Sequence, residues 1–243
     1  MLRTLSFLAC AAVVWGADFK EFHQAYPLDP AGRFSLNTYK GSIRITTWDQ
    51  AQVDVQARIY ADLPGWFSVP VEDVDIRVDH SPASVNVKTD YHREHFVEGN
   101  LPNVQYTIRV PRRASVSVKD YKSDSEILGV EGAVEFETYK GTAHLEGLRS
   151  GLRLNTYKGD IRASFDNFAA SHVETYKGDI ELSIPKNAAF DISSKMERRG
   201  VLESDFPRTV RSTREKEYRG QVNGGGPELR VSSYRGTIRI REK

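Results

Sequence analysis

One cysteine, Cys10, stands in 243 residues, and it lies within the first sixteen. If that segment is removed on export, the mature chain carries no thiol, which excludes disulfides, thiolate metal sites and cysteine nucleophiles together. Net charge is nearly absent as well. Thirty-four Lys and Arg face 33 Asp and Glu, and loss of Arg3 with the leader leaves the two equal. A chain without excess positive charge has no long-range attraction for nucleic acid or for an anionic membrane, so a nucleic-acid partner is not expected; only local basic stripes remain available. No apolar run after the leader is long enough to span a bilayer, and no window keeps a 3.6-residue apolar period. The absence of that period leaves an all-β chain.

Residues 1–16 read as a secretory signal. Arg3 supplies the positive start, Leu5 to Trp15 the apolar stretch, and Val14-Trp15-Gly16 a small-residue cleavage pattern, so that the mature chain begins at Ala17. The expected location is outside the cytoplasm: periplasm, cell surface or medium. Phe7-Leu8-Ala9-Cys10 offers an alternative, a lipid-anchored Cys10, although only nine residues precede it.

What the chain does contain is a repeat. Glu174-Thr175-Tyr176-Lys177-Gly178-Asp179-Ile180 recurs at Asn155 to Ile161 and at Glu137 to Ala143, with distant copies at Asn37 to Ile43 and Ser232 to Ile238. A degraded copy runs from Lys119 to Asp124. Tyr121, Tyr139, Tyr157 and Tyr176 are 18, 18 and 19 residues apart. A fixed period of this size marks stacked coils that bury their apolar sides against one another. The expectation is a single-domain β-solenoid over residues 17–243, most regular at 115–205, with Asp191 to Asp205 forming a further coil with a widened turn. Phe206 to Glu217 shows no clear alternation, and Asp90 to Asn103 reads as a polar loop.

Alternation sets the phase of each coil. Leu152, Leu154 and Thr156 share one face, matched by Val134, Phe136 and Thr138 and by Val173 and Thr175. After the turn, Ile161, Ala163, Ala143, Leu145, Ile180 and Leu182 resume the inward face. The tyrosines then point outward beside the turn lysines. Turn glycines fit a left-handed backbone angle. The candidate binding residues are therefore Tyr39, Lys40, Tyr139, Lys140, Tyr157, Lys158, Tyr176, Lys177, Tyr234 and Arg235. A row of phenols flanked by cations suits a repetitive ligand, with sugar rings stacking on the aromatics and anionic groups pairing with lysine. The same row also serves a purely structural role, because aromatic neighbours across strands stabilise a sheet by about 0.2–1 kcal/mol per pair.

Three segments carry a family resemblance: Gly41 to Trp48 as G-x-I-x-I-x-x-W, the serial x-T-x-x-G-D-I coils, and the terminal segment from Gly224-Gly225-Gly226-Pro227 to Ile240. In these the chain resembles the bacterial DUF4097 family of β-strand repeats, whose members are regarded as candidate adhesins. The resemblance implies a solenoid-like domain, exported or attached to the envelope, with no catalytic residues to carry over.

Other chemistry is weakly signalled. Asp160 and Asp179 follow the turn glycine in successive coils, at the spacing a retaining glycosidase requires of its carboxylates. Ser42, Thr142 and Thr237 hold the same position, so good turn chemistry explains it. His92-Arg93-Glu94-His95 lacks the helical spacing of a zinc site and a further ligand. No catalytic residue, metal ligand or cofactor is assigned. The function expected is a non-enzymatic envelope module that binds a surface polysaccharide or another envelope protein through its Tyr/Lys face. The alternative is a scaffold whose strand ends mediate self-association or contact a second envelope protein.

Overall fold

The computed structural model describes residues 15–16, 19–61, 69–92, 101–206, 209–214 and 217–243. The leader through Val14, Cys10 included, and residues 93–100 of the polar loop lie outside them. Among the described residues there is no α-helix, only a single 3-10 turn at Val71–Asp73.

Twenty strands follow in chain order. The first eight are β1 (Trp15–Gly16), β2 (Phe19–Pro27), β3 (Arg33–Asn37), β4 (Lys40–Trp48), β5 (Gln52–Tyr60), β6 (Val74–Ser81), β7 (Ser84–Tyr91) and β8 (Asn103–Pro111). The regular coils comprise β9 (Ser115–Asp120), β10 (Lys122–Leu128), β11 (Val134–Thr138), β12 (Thr142–Leu148), β13 (Leu152–Lys158), β14 (Ile161–Phe165), β15 (Ser171–Lys177) and β16 (Ile180–Ile184). The chain closes with β17 (Phe190–Ser204), β18 (Thr209–Arg214), β19 (Glu217–Val222) and β20 (Glu228–Glu242).

Each coil contributes one strand to each of two ladders. The strands before the turn pair in parallel in the order β7, β3, β9, β11, β13, β15, β20 and β17. Those after the turn pair in the order β8, β4, β10, β12, β14, β16, β20 and β17. Because β17 and β20 run through both ladders, the whole forms one mixed sheet folded over its core. Antiparallel strands finish both ends: β6 on β7, β5 on β8 with β2 and β1 beyond it, and β19 on β17 followed by β18.

The expected phase is observed. Phe136, Leu154, Val173, Ile161 and Ile180 are buried in one continuous core, whereas Tyr139, Tyr157 and Tyr176 remain 37%, 43% and 42% exposed. The order of coils departs from chain order, however. Residues 115–184 stack consecutively, but β20 lies between β15/β16 and β17. The reason lies in the turn residues. Tyr234-Arg235-Gly236 reproduces the repeat and can be stacked on both sides, whereas Lys195 to Gly200 has neither the tyrosine nor the short turn. The widened turn of β17, with a register shift between Met196 and Arg199 and Arg198 at φ 40°, therefore caps the stack. The segment without clear alternation also contains a strand, β18. The all-β class holds, while the antiparallel ends depart from an uninterrupted parallel solenoid.

The degraded coil is repaired from within. Where the coils of Thr38, Thr138, Thr156 and Thr175 have Thr and Gly, this one has Asp120 and Ser123. The Asp120 carboxylate accepts bonds from the Ser123 hydroxyl (2.6 Å) and N–H (2.9 Å), the Lys122 N–H (3.2 Å) and the Thr138 hydroxyl (3.0 Å). Burial nevertheless holds its pKa above the ordinary value of 3.8. A raised folded-state pKa means a contribution that is full below the ordinary carboxylate range and is lost as pH rises through the folded value. Replacing Asp120→Thr alone strands the buried Ser123 hydroxyl, at a cost of about 1–3 kcal/mol. Asp120→Thr with Ser123→Gly rebuilds the arrangement in which the Gly141 N–H donates to the Thr138 hydroxyl (2.9 Å). Chemical denaturation should find the double variant more stable than the single one, and gaining on the parent as pH rises from acid to neutral. Strictly additive effects would contradict this coupling.

Candidate binding face

Parallel in-register strands place each repeat's tyrosine one strand spacing, about 4.8 Å, above the one before. Six rings form a single column in the order Tyr39, Tyr121, Tyr139, Tyr157, Tyr176 and Tyr234. Successive centroids are 4.5, 4.8, 4.6, 4.7 and 4.6 Å apart, with interplanar angles of 4° to 13°. Tyr91 closes one end edge-on against Tyr39 (6.2 Å), and the Arg198 guanidinium closes the other, 5.5 Å from the Tyr234 ring centre. Tyr121 and Lys122 belong to the column although their coil lacks the turn glycine. The 18-residue tyrosine spacing alone would have included them.

This geometry corrects one expectation. The ring faces cover one another, so a sugar cannot lie flat on them. The outward edges of the rings are what a ligand can reach.

Beside the rings runs a column of cations. Lys122 lies in register with Lys40, Lys158 with Lys177, Lys177 with Arg235, and Arg235 with Arg199. The Lys140 ammonium sits 5.3 Å from the Tyr139 ring centre and 5.8 Å from that of Tyr121, and Arg235 sits 5.9 Å from Tyr234, an electrostatically favourable placement over the rings. Among the described residues, no carboxylate lies within 4.0 Å of Lys122, Lys140, Lys158, Lys177 or Arg235. Flanking charges are paired: Lys119 with Glu137 (3.1 Å), Arg44 with Glu126 (2.8 Å), and Arg239 with Asp179 (2.9 Å) and Glu203 (3.2 Å). Two like charges one strand apart repel by about 1 kcal/mol in water before screening. From Lys122 to Arg235 the column therefore carries a positive potential that no described carboxylate pairs directly.

The carboxylates after the turn are already engaged. Asp124 accepts the Thr142 hydroxyl (2.5 Å) and Asp160 the Asp179 N–H (2.9 Å). Asp179 accepts the Thr237 N–H (2.8 Å) and an Arg239 N–H (2.9 Å), which hold its pKa below the ordinary range. Each bond ties one coil to the next, so these residues serve as interlayer clamps. Of the histidine pair, His92 lies against Asp75 (2.9 Å), which Lys20 also contacts (2.6 Å), and His95 lies outside the described residues.

The profile of the toastrack DUF4097 family matches residues 113–241, more than half of the chain. The chain belongs to that family. The match takes in the regular coils and the closing strands from β17 into β20 but begins beyond Gly41 to Trp48, the first segment that carried the resemblance. Solved structures resemble the toastrack chain at low identity. A candidate cell adhesion protein from Clostridium sporogenes is 14% identical with a TM-score of 0.45, covering 92% of this chain and 100% of its own. A candidate adhesin from Bacteroides fragilis is 14% identical with a TM-score of 0.47, covering 91% and 97%. One from Parabacteroides merdae is 9% identical with a TM-score of 0.25, covering 90% and 95%. Comparison with curated proteins finds no match.

Proposed function

We propose that this toastrack protein is an exported, non-catalytic module of the cell envelope that holds a surface polymer or protein on its Tyr/Lys face. The observation that carries the reading is the column of turn cations, in which Lys122, Lys140, Lys158, Lys177 and Arg235 have no carboxylate partner among the described residues while the charged columns beside it are paired. Folding alone does not require it, since any exposed turn residue would serve. Involvement of the neighbouring carboxylates in interlayer bonds favours binding over catalysis at this edge. A continuous column also fits a repetitive ligand, because each coil adds one modest contact and adjacent contacts act at high effective concentration.

A second reading, a scaffold joined through its strand ends, draws on one feature. Among the described residues, the outer edge of β17 from Gly200 to Ser204 pairs with no strand, and Val201 on it is 48% exposed. Exposed edges of this kind accept a further strand.

Amine-reactive labelling read lysine by lysine separates the two. With purified envelope polymers or proteins present, Lys140, Lys158 and Lys177 should be protected while Lys186, in the turn that follows β16 at the other end of that strand, labels as before. Equal labelling of all four with every fraction would overturn the proposal. Concentration-dependent self-association without such protection would favour the scaffold.

A further inference from the structure

We propose that the ring column is a site of oxidative cross-linking, where a one-electron oxidant joins tyrosines of adjacent coils through carbon–carbon bonds. The site draws on the stack itself and does not depend on the edge binding a polymer.

Coupling two phenols needs two activated rings in contact, each within reach of the oxidant. From Tyr121 to Tyr234 successive centroids are 4.6–4.8 Å apart and the rings nearly parallel. Tyr139, Tyr157 and Tyr176 are also 37–43% exposed, so their outer edges are open to a reagent, whereas Tyr26, Tyr91 and Tyr106 are buried. Tyr60 supplies the contrast. It is as exposed as Tyr139, at 37%, but among the described residues no ring lies against it. All eleven tyrosines of the chain are described, so no further phenol stands outside this comparison.

Softer targets are scarce. Thiols and thioethers are the side chains that oxidants commonly modify. Beyond the leader this chain has no cysteine and a single methionine, Met196, which is buried. Trp48 is half-buried with the Arg109 guanidinium over its ring.

In the reaction each phenol gives up one electron and one proton, and the unpaired electron of the phenoxyl spreads to its ortho carbons. Two neighbouring radicals pair when one ring tilts about its side-chain torsions, forming one bond between an ortho carbon of each ring. The hydrogens on those carbons leave as protons while the two oxygens take protons back, which restores both phenols. The net loss is two electrons and two protons. One hydrogen peroxide accepts them through a haem peroxidase and becomes two waters. Proximity favours this route, because the adjacent ring is present at an effective concentration far above that of a second dissolved chain.

Bridges between Tyr121, Tyr139, Tyr157 and Tyr176 each close a loop of 18 or 19 residues, and one from Tyr176 to Tyr234 closes 58. Such links restrict the unfolded chain as disulfides do, in a molecule with no thiol beyond its leader to make one. Oxidation thus welds the coils along the edge that stacking already holds.

The test treats the dilute full chain with a haem peroxidase and hydrogen peroxide, isolates the monomer and maps bridged peptides by mass, each pair two hydrogens lighter than its parts. Bridges Tyr139–Tyr157 and Tyr157–Tyr176 should form at a yield independent of protein concentration, and at least about tenfold above any bridge through Tyr60. Tyr60 should bridge only between chains, increasingly with concentration. The bridged monomer should melt above the untreated one. Tyr157→Phe keeps the stack and should abolish both of those bridges while leaving Tyr121–Tyr139, because Tyr139 and Tyr176 stand two strand spacings, about 9.5 Å, apart. Three results would each overturn the site: Tyr60 bridging as readily as Tyr139, a Tyr139–Tyr176 bridge in the Phe variant, or no bridge under conditions that couple free tyrosine. Bridges formed without a rise in melting temperature would overturn the weld.

Discussion

Gly159→Val is expected to destabilise the protein by about 3 kcal/mol or more, at the upper end of overpacking costs. A Cβ on Gly159 would stand 1.8 Å from the Gly141 carbonyl oxygen of the preceding coil, far inside van der Waals contact. That oxygen belongs to a backbone held by the parallel ladders, so it cannot yield as a flexible side chain would. Gly178 adds a second constraint, with φ 144° and a Cβ position 2.1 Å from the Gly159 carbonyl oxygen. Calorimetry should place the melting temperature of Gly159→Val roughly 6–12 °C below the parent, against a small change for the exposed Arg153→Val. Similar melting temperatures for the two variants would contradict the close approach. The cause differs from the one expected of a turn glycine. At Gly178 the backbone angle excludes side chains, but at Gly159 the stacking of turn upon turn does so.

The second large effect is expected from the ring column. Replacing Tyr139, Tyr157 and Tyr176 together by Thr removes four of the five stacked contacts, those from Tyr121 through Tyr234. At about 0.5–1.5 kcal/mol per aromatic pair, the loss is roughly 2–6 kcal/mol, only partly offset by the good strand propensity of Thr. The triple Phe variant keeps the stack and should melt near the parent. If the Thr variant melts with the parent instead, the rings contribute nothing to stability.

Much of this architecture was legible because the repeat is written in residues with a strict period of two. Leu154 and Phe136 on one strand, and Ile161 and Ile180 on the other, fix the buried face without reference to distant chain. The outward tyrosines follow from the same alternation. What could not be read was which coils touch. Parallel pairing between β3 and β9, or β20 and β15, joins segments 58 to 82 residues apart, as in Ser171 with Leu229 and Arg33 with Ser115. Period alone does not say whether the last copy follows its predecessor or slips beneath it. Nor does alternation reveal that ring faces are covered, since that depends on strand spacing and in-register pairing. Asp120 and Ser123 looked like decay of the motif and prove to be a compensated pair, visible only once the carboxylate's four donors are known.

The claim at the centre of this account divides the labour of one edge: rings hold the coils together and cations hold the ligand. Retention on one purified anionic envelope polysaccharide, measured beside melting temperature, tests it most directly. The variants are the Tyr139, Tyr157, Tyr176 triple to Phe and the Lys140, Lys158, Lys177 triple to Gln. The account predicts that both melt near the parent, that the Phe variant is retained as the parent is, and that the Gln variant is eluted at much lower salt. Loss of retention in the Phe variant, with the Gln variant held as tightly as the parent, would contradict it.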